Sequence, residues 1–244
     1  TEMMVGRAVS LDIERIDPVD PKPRLVVKNM NVCDKDGILR LCDVNFTAYS
    51  GEILGVAGIS GSGQKELLEA IAGLQTCKDC SSIEFISDKG EKKQLSGMHP
   101  LDIKNLGVAL AFVPEDRLGM GLVGSMNLTD NMMLRSYRDG KGPLADRKTP
   151  QKLAETVVRE LEVVTPSINT PVRRLSGGNV QKVLVGREIA LQPQLMMSAY
   201  AVRGLDINTS YNIYHLLSEQ KKRGASVIFV GEDLDVLLEL CDRI

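Results

Sequence analysis

Apolar runs alternate with periodic segments along most of the chain. "RLVVKNMNV" from residue 24 and "LCDVNFTAYSGEILGVAG" from residue 41 read as β-strands. The end of the second is an unbroken apolar run, as in a buried parallel strand. "QKELLEAIAG" then takes helical spacing, with Leu67, Leu68 and Ile71 on one face and a stop at Gly73. A polar, glycine-bearing stretch over residues 87–100 reads as loop, and "LGVALAFVP" as a strand closed by Pro114. From about residue 128 to 191 the spacing is helical, as in "PQKLAETVVRELEVV" and "NVQKVLVGREIAL". "PQLMMSAYAV" and "ASVIFVG" return as strands, with "NTSYNIYHLLSEQKKRG" as the helix between them. Strands alternating with helices predict a parallel sheet covered on both faces, with a helical block inserted in the middle.

Composition narrows the picture. Across 244 residues, 30 Lys and Arg against 32 Asp and Glu leave a net charge of −2. This argues against a nucleic-acid binder that works through bulk positive charge. No apolar run reaches the length of a membrane span. The five cysteines are scattered, which fits reduced thiols. "CKDC" at 77–80 is half of a zinc-binding spacing, but no second CxxC or nearby CxxH completes it. No metal is assigned to the chain, and His99 and His215 are read as structural or solvated. "DPVDPKP" over 17–23 reads as a linker, and the residues before it as the tail of a preceding unit. With Thr1 at one end and "LCDRI" at the other, the sequence is expected to be a piece of a longer chain.

Between strand and helix lies "GISGSGQKE", residues 58–66. A phosphate-binding loop has the form G-x-x-x-x-G-K-[ST]: glycine backbone N–H groups cradle phosphates, Lys grips them, and Ser or Thr holds Mg²⁺. Gly58, Gly61 and Gly63 stand in place, with Ser60 and Ser62 between them. Gln64 and Lys65 then replace the Lys and the hydroxyl residue, followed by Glu66. Lys65 is no substitute, because one residue along a helix is about 100° of rotation. The anion cradle at a helix start remains; a plain glycine turn without ligand reads equally well.

The stretch "RRLSGGNVQKVLVGREIALQPQLMMSAYAVRGLD", residues 173–206, is more specific. Leu175, Ser176, Gly177, Gly178 and Asn179, followed by Gln181, match the signature motif of the ATP-binding cassette family, which this sequence resembles. Gly204, Leu205 and Asp206 stand at the family's spacing for its D-loop. Together with "VPEDR" at 113–117 and "GxGQ" in the phosphate loop, these motifs resemble the second cassette of bacterial importers for simple sugars and nucleosides. "MMVGR" at 3–7 resembles the end of the first cassette.

The resemblance implies an α/β P-loop NTPase cassette: a RecA-like core, an antiparallel β portion and an inserted helical subdomain. The expected division is tail and linker over 1–23, core with β portion over 24–116, helical subdomain over 117–190 and core again over 191–244. It also exposes departures. The family's Mg²⁺-holding Asp and catalytic Glu correspond to Ala199 and Tyr200, its γ-phosphate-sensing Gln to Glu115, and its switch His to Glu232. No aromatic residue stands near Val32 and Cys33 to stack on adenine. Phosphoryl transfer rests on positioning and charge neutralisation, so this half is expected to hold ATP or ADP weakly or not at all and to have no catalytic residue of its own. Each substitution alone also reads as drift or core packing.

Cassettes of the family pair head to tail, so the signature here is expected to complete the site of a first cassette in the same polypeptide, where Mg²⁺ would sit. Permease subunits are the further partners, with a substrate-binding protein engaged indirectly and no nucleic acid, on the cytoplasmic face of the inner membrane. Residues 115–137, with Met126, Met132 and Met133, would face the permease or else pack inside. Two other readings compete: a silent interaction module, and a non-transport cassette ATPase of DNA repair or translation. The latter carry long coiled-coil or basic insertions that this sequence lacks.

Overall fold

The computed structural model describes residue 13 and residues 17–34, 36–59, 61–78, 81–105, 110–137 and 145–244. Ser60, Cys80, "MMVGR" and the first four residues of "LGVALAFVP" lie outside them.

Two four-stranded sheets organise the fold. In the antiparallel sheet, β1 (Pro23–Cys33) pairs with β2 (Leu39–Tyr49) on one side and β4 (Ser82–Ile86) on the other, and β4 pairs with β5 (Lys92–Gln94). In the second sheet all pairings are parallel, in the order β3 (Ile53–Ala57), β8 (Ser226–Gly231), β7 (Leu195–Ala199), β6 (Leu110–Val113). Every residue of β7 and β8 is buried, as the continuous apolar runs predict for central strands covered on both faces.

The period of two along those strands separates two cores. Met196, Val227 and Phe229 join a cluster with Leu122, Leu128, Met132, Val157 and Leu184. Met197, Ile228 and Val230 face the other way, onto Leu25, Leu68, Ile71, Ile83 and Phe85. The first cluster binds the inserted helices to the sheet, and the second binds the antiparallel strands to it.

The helices are α1 (Gln64–Ile71), α2 (Pro100–Asn105), α3 (Leu128–Met133), α4 (Lys148–Glu160), α5 (Gly177–Ile189), α6 (Ile207–Lys222) and α7 (Leu234–Leu240). A five-residue π turn over Arg117–Gly121 follows β6. Among the described residues four helices start on side-chain caps: Asn127 accepts from the Asp130 N–H, Ser176 from the Asn179 N–H, Asp206 from Thr209, and Asp233 from Asp235 and Val236, which satisfies donors the helix leaves open. α5 packs tightly on α4, and a Cβ at Gly186 would lie 2.8 Å from Val157 and 2.9 Å from Leu161.

The stretch over 87–100 is not all loop: it carries β5 and the start of α2. The three methionines divide. Met132 is buried in the core, Met133 is half-buried and Met126 is exposed, near exposed Leu118, Met120 and Val123.

Candidate functional site

The described part of the loop from β3 to α1 turns on two glycines. Gly61 and Gly63 have φ of +88° and +96°, which glycine adopts without penalty. Gly63 is also held by packing, because a Cβ there would lie 2.7 Å from Leu41 and 3.0 Å from the Arg40 carbonyl of β2. What fills the cradle is Gln64. Its side chain is buried, its Nε2 donates to the Ile59 carbonyl at 3.1 Å, and the same nitrogen lies where a Cβ on Gly58 would go. The Ile59 carbonyl also accepts from the Ser62 N–H at 3.2 Å. A carbonyl and an amide thus face each other inside the turn. Lys65 points away, 60% exposed and 3.8 Å from Glu69, and Glu66 is half-buried beside it.

At the far ends of the parallel strands the polar groups serve one another. Ala199 and Tyr200 are buried in the core beside Leu68 and Val230. Tyr200 has a left-handed backbone, φ +48°, strained for a bulky side chain. Burial raises its phenol pKa, and the nearby Glu232 and Glu115 carboxylates raise it further. The Arg203 guanidinium, 5.9 Å from the Tyr200 ring, donates to Glu115 at 2.7 Å and lies 3.9 Å from Glu232. A cavity of about 300 Å³ opens between α1 and this cluster, lined by Lys65, Leu68, Glu115, Met120, Ala199 and Tyr200.

These residues do not fit a Mg²⁺–triphosphate. The amide of Gln64 turns into the cradle, position 64 offers no cation and position 65 no hydroxyl, and an alanine at the end of β7 offers the metal no carboxylate, with a phenol beside it. Among the described residues no three His, Cys, Asp or Glu side chains are grouped to hold a metal ion. Val32, near which an adenine ring would stack, is fully buried.

The signature turn is arranged differently. Leu175 is half-buried and packs against the core. Ser176 Oγ accepts from the Asn179 backbone at 3.4 Å and from its side chain at 2.9 Å, while Asn179 Oδ1 accepts from the Val164 N–H at 2.8 Å. Ser176 and Gly177 are exposed, so the first N–H groups of α5 face outward. Gly178 abuts Thr209 and Asp206, the cap of α6, which places the signature beside Gly204 (φ +70°), Leu205 and Asp206. The hydrogen bonds from Thr209 hold the Asp206 carboxyl below its usual range. Gln181 is fully buried in α5, where its amide has no hydrogen-bond partner among the described residues.

Chain reading found each of these positions but missed the cluster around Arg203, because its partners are 88 residues apart in sequence. It also missed Arg117, whose Nη2 donates to the Arg203 carbonyl at 2.6 Å.

Known proteins show the same organisation. Residues 41–198 match the family model described as ABC transporter. A glucose import ATP-binding protein of Haloferax volcanii is 36% identical over all of this chain and 44% of its own length. A guanosine import ATP-binding protein of Bacillus subtilis is 34% identical over 99% of this chain and 46% of its own. The chain therefore spans about half the length of the curated relatives it matches. An ATP-binding cassette solved as a dimer in a post-hydrolysis state with ADP and phosphate superposes with a TM-score of 0.73 at 22% identity, covering 87% of this chain and 89% of that one. The parallel sheet, the glycine loop, the signature turn and the match over most of the chain lead to one assignment: this chain belongs to the ABC transporter family, with the P-loop NTPase fold of its ATPase cassettes.

Proposed function

We propose that this chain is the second cassette of a two-cassette ATP-binding protein that energises import of simple sugars or nucleosides. Its own site holds ATP or ADP weakly or not at all and does not hydrolyse it. Ser176, Gly177, Gly178 and Asn179 instead serve the nucleotide and Mg²⁺ bound on the first cassette.

The observation that carries this reading is a contrast within one chain. The signature turn is exposed and capped, while Gln64 fills the chain's own cradle. The relatives named for glucose and guanosine import support the transport class. The division into a core over 24–116 and 191–244 and a helical subdomain over 117–190 belongs to the same proposal. So do the permease partners, the binding protein beyond them and the peripheral place on the cytoplasmic face of the membrane. No helix among the described residues is long and apolar enough to cross a membrane. The exposed Leu118, Met120, Val123 and Met126 are proposed to meet the permease.

The test is ATP turnover by the purified chain. We expect background rates. Turnover at ordinary ATPase rates that a Gly58→Val substitution abolishes would overturn the reading.

A further inference from the structure

We propose that Glu115, Arg117 and Arg203 form a clasp that sets the attitude of the signature turn to the parallel sheet without help from a bound nucleotide. The inference rests on the reading that the signature serves a partner cassette, and it assigns positioning roles to three residues that do not touch that partner's nucleotide.

The clasp has two points. Residues 115 and 117 leave the end of β6, and residue 203 lies in the turn leaving β7. Glu115 accepts from the Arg203 guanidinium at 2.7 Å, while Arg117 donates to the Arg203 backbone carbonyl at 2.6 Å. One residue is therefore gripped by its side chain and by its main chain from the same neighbouring segment, which resists both sliding and rotation. Glu232, following β8, adds a second carboxylate 3.9 Å from the same guanidinium. A single cation thus ties the ends of three adjacent strands, with the Tyr200 ring beside it at 5.9 Å.

Arg117 carries the connection to the signature. Its Nη1 lies 3.4 Å from the place a Cβ on Gly177 would occupy, so it reaches to the first turn of α5. From the other side, Gly178 rests on Thr209 and Asp206, three residues beyond Arg203. The signature turn is therefore held between Arg117 and the start of α6, and both supports lead back to Arg203. A lone exposed ion pair holds geometry poorly. Here, truncating Arg203 leaves Glu115 and Glu232 without their shared cation, while truncating Arg117 leaves the residue 203 carbonyl without its donor, so either change opens one of the two points that hold this turn.

The experiment uses the full-length polypeptide with its membrane partners. Amide hydrogen exchange is followed at residues 177–180, and ATP KM and kcat are measured for Arg203→Ala, Arg203→Lys, Arg117→Ala and Arg203→Ala/Glu115→Ala. We expect Arg203→Ala and Arg117→Ala to speed exchange at 177–180 at least threefold and to raise KM at least threefold, with kcat within twofold. Arg203→Lys should recover more than half of both effects. The double variant should match Arg203→Ala alone, because the Glu115 contact is already lost. Unchanged exchange in both arginine-to-alanine variants would overturn the clasp. Faster exchange with unchanged KM would uphold the clasp and overturn the donation of the signature, which separates the two claims.

Discussion

The side-chain nitrogen of Gln64 occupies the space a side chain on Gly58 would need, and it donates to the Ile59 carbonyl at 3.1 Å. A residue that replaces the phosphate-gripping cation therefore also closes the cradle from inside. Gln64→Lys should remove that plug and return a positive charge to the helix start. Nucleotide should bind more tightly, by about tenfold for each 1.4 kcal/mol gained. Turnover should stay at background, since Lys65 offers no hydroxyl and Ala199 no carboxylate. Titration with a fluorescent ATP analogue and a phosphate-release assay check both halves, and robust hydrolysis would refute the account.

Gly177→Asp should abolish ATP-driven uptake by the reconstituted transporter. Among the described residues a Cβ at 177 would meet Arg117 alone, at 3.4 Å, which leaves room for the change, and the melting temperature should hold within a few degrees. The aspartate would set a negative charge against the partner's polyanionic nucleotide. Each hydrogen bond to a charged group lost there is worth about 1.5–3 kcal/mol. Normal uptake would sink the proposal that the signature is donated.

Gly186→Ala tests the packing of α5 on α4. Alanine favours the helix by up to about 1 kcal/mol, but its methyl would lie 2.8 Å from Val157 and 2.9 Å from Leu161. Overpacking of this kind costs about 1–3 kcal/mol, so packing should win. We expect the thermal midpoint to fall by a few degrees, at about 2–4 °C per kcal/mol for a chain of this size. A rise would show that the helices separate freely.

Tyr214 sets an alkaline limit. Burial, with Asp233, Tyr211 and Glu239 nearby, pushes its phenol up to about 12, against about 10 in an unfolded chain. The raised pKa means that the neutral form is favoured by folding. Its stabilisation is complete below pH about 10 and is lost as pH rises towards 12. An absorbance titration at the phenolate band should show a late-ionising component near pH 12 that Tyr214→Phe removes. The substitution should also flatten the loss of denaturant resistance across that window.

Long elements were legible in the chain because their periods are strong. The five apolar residues of β3 and the four-residue spacing of Leu67 and Ile71 announce a strand and a helix. β4 and β5 were not, because Ser82 and Glu84 interrupt the apolar residues of "SIEFI" and "KKQ" carries no apolar signal; both exist through pairing outward from β1. At the site, the departure of Gln64 from the phosphate-loop pattern could be read directly. That the replacing amide folds back onto Ile59 could not, since a side chain's direction follows from the space around it. The Arg203 cluster depends on contacts between the ends of β6, β7 and β8, which no local window contains.

The Arg203 cluster also couples positions that lie far apart in sequence. A glutamate at Tyr200 would bring a third carboxylate beside Glu115 and Glu232, with Arg203 already shared between those two. A glutamine at Glu115 would take away one of the charges that Arg203 balances, and an aspartate at Ala199 would carry its charge into a buried position. Each of these three changes unbalances the charge of the present cluster, so residues 115, 199, 200, 203 and 232 form one set whose members exchange together.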